Sequence, residues 1–114
     1  MSFLRACGVA DVAPGTALAV QVDNVELAIV RDEDEWYAIY DECSHAAIPL
    51  SEGDVEGCEI ECWLHGSRFD LRTGKPTNLP ATEPVAIYPV KVEGDDVLVD
   101  VHNPSNADSP AHPA

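Results

Sequence analysis

Positive charge is what this chain has least of: 6 Lys and Arg stand against 21 Asp and Glu, a formal net charge of −15 at neutral pH. A field of that sign repels phosphate backbones and anionic lipid, so no nucleic acid and no membrane surface is expected as a partner. It steers the chain toward basic protein surfaces, with association that weakens as salt rises. The same acidity also serves simply to keep a small protein in solution. Long apolar runs are missing as well. No stretch approaches the roughly 20 apolar residues of a membrane span, and Met1-Ser2-Phe3-Leu4-Arg5-Ala6-Cys7 lacks the apolar core of a signal or transit peptide. A cytoplasmic location is therefore expected. Internal repeats, a Gly-rich phosphate loop, a nucleophile elbow and coiled-coil heptads are also absent, which leaves no signal for nucleotide binding or serine hydrolysis.

What is present is concentrated in two short clusters, Cys43-Ser44-His45 and Cys62-Trp63-Leu64-His65. Each offers one thiolate and one imidazole. Zinc fingers usually place like ligands together in each half-site, so that one tetrahedral ion closes a knuckle. Here each half-site is mixed, which suits two irons bridged by sulfide: each loop gives one ligand to each iron, with Cys43 and Cys62 on the buried iron and His45 and His65 on the outer one. A mononuclear zinc or iron site in the same four residues is the alternative, and a lone Cys or His elsewhere is more often a packing or hydrogen-bonding residue than a ligand. Cys7 and Cys58 are in that second group: cytoplasmic disulfides are rare, so neither pairing nor ligation is expected. Cys58, four residues before Cys62, is expected on the same strand and the same face as that ligand.

Length and composition fit one domain with a modest core: 114 residues, 46% hydrophobic. The pattern is almost entirely β. Pro14-Gly15 marks a turn, and Ala17 to Val22 and Val25 to Val30 form a hairpin across Asp23-Asn24. The acidic run Arg31 to Glu35 reads as a solvated turn, and Trp36 to Tyr40 as a third strand. Glu59-Ile60-Glu61 delivers Cys62, and Ser67 to Asp70 returns as its partner. Ile87 to Val92 and Val97 to Val101 are joined by Glu93-Gly94-Asp95-Asp96, with Pro89 marking an edge or bulge. From His102 to Ala114 apolar periodicity stops, and a disordered tail is expected.

Cys-x-His, sixteen residues, then Cys-x-x-His-Gly-Ser-Arg-Phe-Asp resembles the Rieske iron–sulfur signature. Thr73-Gly74 and Leu79-Pro80-Ala81 stand where that family places its following turn and a proline-bearing loop. The resemblance runs from about Phe3 to Val101. It implies an all-β, antiparallel sandwich over residues 1–101, with a cluster-binding subdomain at about 41–82 and a tail at 102–114. The cofactor it implies is one [2Fe-2S] cluster on Cys43, His45, Cys62 and His65.

Around that cluster the resemblance assigns supporting positions to Ser67, Phe69 and Pro80. Respiratory relatives carry a disulfide at the positions of Ile48 and Leu64, which cannot form here. They also direct Ser and Tyr hydroxyls at the cluster sulfurs. Ser67 matches the first, and Phe69 replaces the second. Each lost donor lowers the potential, so a value in the lower part of the Rieske range of roughly −150 to +300 mV is expected.

The function implied is that of an electron-transfer component rather than a catalyst. Such a carrier, a monomer, takes electrons from an NAD(P)H-dependent flavoprotein reductase and passes them to a terminal oxygenase. A small subunit of a multi-subunit enzyme such as nitrite reductase, and an iron–sulfur-assembly accessory protein, are the alternatives.

Overall fold

The computed structural model describes residues 3–32, 35–42, 49–56, 58–62, 66–77 and 85–102. Among the described residues, ten strands run in chain order: β1 Leu4–Gly8, β2 Thr16–Val22, β3 Val25–Asp32, β4 Glu35–Tyr40, β5 Val55–Glu56, β6 Glu59–Glu61, β7 Arg68–Asp70, β8 Ile87–Tyr88, β9 Val90–Glu93 and β10 Asp96–Val99. Two short 3-10 turns, Val9–Asp11 and Leu50–Glu52, complete the described elements. No described helix is long and apolar enough to cross a membrane.

The strands form three antiparallel sheets, ordered β1-β10-β9, β2-β3-β4-β8 and β5-β6-β7. The middle sheet is the wall of the molecule, and alternation along its strands explains why. In β3, Leu27 and Ile29 face one apolar cluster, with Cys7, Val97 and Val99. Ala28 and Val30 face the other, with Ile60, Cys62 and Phe69. In β4, Ala38 and Ile39 divide the same way. Successive side chains point to opposite faces, so a strand apolar at every position is buried on both. The four consecutive residues Leu27 to Val30 are indeed fully buried. The all-β sandwich is thus built in three layers.

The β2–β3 turn holds both Asp23 (φ 49°) and Asn24 (φ 67°) in the left-handed region, the conformation that matches a two-residue hairpin to strand twist. Three sequence expectations need correction. The acidic turn after β3 is tighter than expected: Arg31 and Asp32 belong to β3 and pair with Trp36 and Glu35 of β4. Arg31 is drawn in because its guanidinium lies 5.1 Å from the Trp36 ring centre and donates to the Val12 carbonyl at 3.1 Å. The strand expected across Pro89 is two strands. Ile87–Tyr88 pairs with β4 and Val90–Glu93 with β10, so the proline, which has no N–H to donate, sits where the chain passes between sheets. The short strands β1 and β5 carry no strong periodic signal and went unexpected.

His102, placed at the start of the tail, is tied down. Its Nε2 lies 2.6 Å from Asp23 Oδ2, and its N–H donates to Asp100 Oδ1 at 3.1 Å. The rest of the expected tail, 103–114, lies outside the described residues.

Candidate metal centre

The small sheet β5-β6-β7 carries the second candidate loop. Ile60 pairs with Phe69 and Glu61 with Arg68, so Cys62 sits at the tip of the β6–β7 hairpin. Its backbone closes that tip in both directions: the Cys62 N–H donates to the Ser67 carbonyl at 2.7 Å, and its carbonyl accepts from the Gly66 N–H at 2.9 Å. Gly66 adopts φ 75°, a conformation that side chains other than hydrogen resist. The Cys62 thiol is buried at 1% exposure in one apolar cluster with Leu50, Phe69, Leu71 and Val85. Ser67 and Phe69 are both fully buried beside it in the chain.

Of the seven expected site residues, Cys62, Ser67 and Phe69 are described and come together at this tip. Cys43, His45, His65 and Pro80 lie outside the described residues, as do Ile48 and Leu64. Described residues flanking two of those segments join the Cys62 cluster or bond to the β6–β7 hairpin and the turn after it. Leu50, just after the first segment, is fully buried in the Cys62 cluster. Thr77, just before the Pro80 segment, donates its N–H to the Arg68 carbonyl at 2.7 Å, and Val85, just after it, donates to the Gly74 carbonyl at 2.8 Å.

Sequence reasoning missed three residues here. Asp41, at the end of β4, is 9% exposed. Its Oδ1 accepts from the Ser51 N–H and its Oδ2 from the Ser51 hydroxyl, both at 2.7 Å. Gly53 packs against the Glu61 backbone so closely that no side chain fits between them. An acid two residues before an expected ligand and a lone glycine after a turn are the only traces of this in the sequence.

Cys58 departs from expectation. It precedes β6 rather than lying on it, and its thiol stands 3.7 Å from both the Tyr37 hydroxyl and Asp32 Oδ2. Burial, and then the hydrogen bond to Glu35, push the Tyr37 phenol well above its usual range. Cys7, Cys58 and Cys62 are free thiols, so Cys7 and Cys58 do not pair. Burial also raises the Cys7 thiol.

The one described member of the expected donor set, Cys62, suits an iron–sulfide group. Cys62 offers a thiol enclosed by aliphatic and aromatic side chains, as the low-dielectric side of such a group requires, and no described cation competes for it. Fold and tip together define a small layered β protein with a buried thiol, Cys62, at the end of a hairpin. The chain belongs to the Rieske [2Fe-2S] family, whose domain matches residues 2–89. Membership brings one [2Fe-2S] cluster as cofactor.

The chain is 45% identical over 101 residues to the biphenyl dioxygenase ferredoxin subunit of Pseudomonas sp. (strain KKS102), covering 88% of this chain and 93% of that one. Among solved structures it is similar to the ferredoxin of carbazole 1,9a-dioxygenase from Nocardioides aromaticivorans IC177. There the TM-score is 0.82 at 44% identity, covering 87% of this chain and 97% of the other. A ferredoxin solved in a complex of reduced oxygenase and oxidized ferredoxin in carbazole 1,9a-dioxygenase matches with a TM-score of 0.79 at 39% identity, over 85% and 91% of the two chains.

Proposed function

We propose that this chain is the ferredoxin component of a ring-hydroxylating dioxygenase system, carrying single electrons from an NAD(P)H-dependent flavoprotein reductase to a terminal oxygenase. The reading rests above all on the match, nearly end to end, to ferredoxins of dioxygenase systems, in a chain whose Cys62 is presented at a hairpin tip. The bound cluster supplies reversible one-electron storage. Cys43 and Cys62 would ligate the inner iron, and the apolar shell of Leu50, Phe69 and Leu71 around Cys62 would keep water from that side. His45 and His65 would ligate the outer iron, each with one ring nitrogen, and the other nitrogen would be free to serve a docked partner. Pro80 would support the cluster, the Ser67 hydroxyl would serve as a donor to a sulfur, and Phe69 offers no such donor. The chain works as a cytoplasmic monomer, with the Rieske domain at 1–101, its cluster-binding part at about 41–82, and the tail following the anchored His102. The net charge of −15 favours basic docking surfaces on both partners.

Iron and acid-labile sulfide analysis, with electron paramagnetic resonance of the reduced protein, tests the cofactor ligands. Two irons, two sulfides and the low average g of mixed His/Cys ligation are expected, and a colourless, zinc-loaded protein would overturn the reading. Reduction by NAD(P)H through a flavoprotein reductase, followed by reoxidation with a terminal oxygenase, tests the role. Inertness toward every such pair would favour an iron–sulfur-assembly accessory role.

A further inference from the structure

We propose that Asp41 and Ser51 form a clip that positions the loop carrying Cys43 and His45. This rests on the reading above that those two residues are ligands. Asp41 is one of three polar residues buried among the described residues. A buried carboxylate is costly unless it is satisfied, and no described cation pairs with it. Instead both its oxygens are taken by one residue, Ser51, through the backbone N–H and the hydroxyl at 2.7 Å each. Hydrogen bonds to an ionised acceptor are short and about twice as strong as neutral ones. The bonded residues bracket the whole first ligand segment.

Each end of the clip is fixed independently. Asp41 donates its N–H to the Glu26 carbonyl of β3 at 3.0 Å. Ser51 lies in the 3-10 turn that starts at Leu50, and Leu50 is fully buried beside Cys62. Two residues further on, Gly53 abuts Glu61, the residue before Cys62. The Glu61 N–H also donates to the Asp54 carbonyl at 2.8 Å. Two contacts joined by short stretches of chain therefore link Asp41 to Cys62: Asp41 with Ser51, and Gly53 with Glu61. Tying the loop ends removes most of the conformations that would carry the first pair of ligands away from the second. Asp41 and Ser51 are thus positioning residues: they act on the cluster through the loop, not by touching it. A carboxylate serving only to cap a short turn would affect stability and leave the cluster's electronic properties alone.

The test uses the full holo chain with Ser51→Ala, Ser51→Thr and Asp41→Ala. Three readouts are followed: cluster release under a chelator, the reduced-state paramagnetic g values, and the midpoint potential. Ser51→Ala removes one bond to the carboxylate and keeps the charge. It is expected to release the cluster about tenfold faster, the equivalent of one lost hydrogen bond to a charged group, with broadened, displaced g values and a displaced potential. Ser51→Thr, which keeps the hydroxyl, is expected to restore all three. Asp41→Ala is expected to be more severe, and where it fails to fold the serine pair decides. Wild-type release, g values and potential in Ser51→Ala overturn the clip, even if its melting temperature falls. A potential displaced only in Asp41→Ala overturns it too, because that is a charge effect. Wild-type protein without a mixed-ligand signal overturns the functional reading itself, a distinct result.

Discussion

Gly53 and Glu61 meet backbone to backbone: a Cβ on Gly53 would overlap the Glu61 carbonyl oxygen and fall 2.8 Å from its carbon. Neither atom is the movable end of a side chain, so a methyl group here must displace main chain. Gly53 follows the turn Leu50–Glu52, and Glu61 precedes Cys62. Gly53→Ala is therefore expected to cost about 2 kcal/mol or more, in the upper range of overpacking, and to lower the iron bound per chain. Urea midpoints of the holo protein and iron-to-protein ratios check this. An alanine variant with wild-type values of both would sink the idea.

Ser67 is fully buried, and its carbonyl is bonded to the N–H of Cys62, so its side chain is held at the hairpin tip. A hydroxyl directed at a sulfur stabilises the more negative, reduced state. Ser67→Ala is expected to lower the midpoint potential, by about 60 mV if the bond differs by about 1.4 kcal/mol between redox states. Phe69→Tyr tests the converse at a fully buried ring, where a new donor is expected to raise the potential. A potentiometric titration reads both, and unchanged values in the two variants would remove these side chains from the control of potential.

Much of the fold was legible because period-two alternation survives burial when turns are explicit. Asp23-Asn24 and Gly94-Asp95 fixed two hairpins, and Glu59-Ile60-Glu61 showed the strand that delivers Cys62. What misled was context. Arg31 reads as a turn residue on charge alone, yet Trp36 and the Val12 carbonyl draw it into a strand. Ile87 to Val92 reads as one strand because no local signal says that its two halves pair with different sheets. In the site, Cys62 was legible because the strand that delivers it and the family pattern around it demand particular residue types. The supports were not: Asp41, Ser51 and Gly53 act through contacts between residues distant in the chain, and an Asp, a Ser or a Gly in a loop has many commoner reasons to be there.

Association with redox partners is expected to be strongly salt-dependent. With a net charge of −15, long-range attraction to a basic docking surface accelerates encounter, and it decays once the Debye length shortens from about 30 Å at 0.01 M salt to about 8 Å at 0.15 M. Stopped-flow rates of electron transfer from the reductase, taken over that range, should fall with ionic strength while the first-order step within the complex stays constant. A second-order rate that is flat or rises with salt would show that the acidity serves solubility alone.

Cys7, Tyr37, Tyr40 and Tyr88 share one electrostatic condition: burial is the leading cause that pushes each of them above its ordinary value of 9.0 for the thiol or 10.0 for the phenols. For Tyr37 the hydroxyl also donates to Glu35 at 2.7 Å, which further favours the protonated form. A raised folded-state pKa means that the native chain holds its proton after the unfolded chain has lost it. Stability is then complete below the unfolded values and is lost as pH rises through the folded ones. Urea midpoints should accordingly be flat from about pH 7 to about pH 8.5 and decline by about pH 11. Tyr88 is 3% exposed and among the most strongly displaced, so Tyr88→Phe should make the decline shallower than in the wild type. Midpoints that stay level to the alkaline end, or a phenylalanine variant with the full wild-type slope, would show that ionisation of these groups does not govern alkaline unfolding.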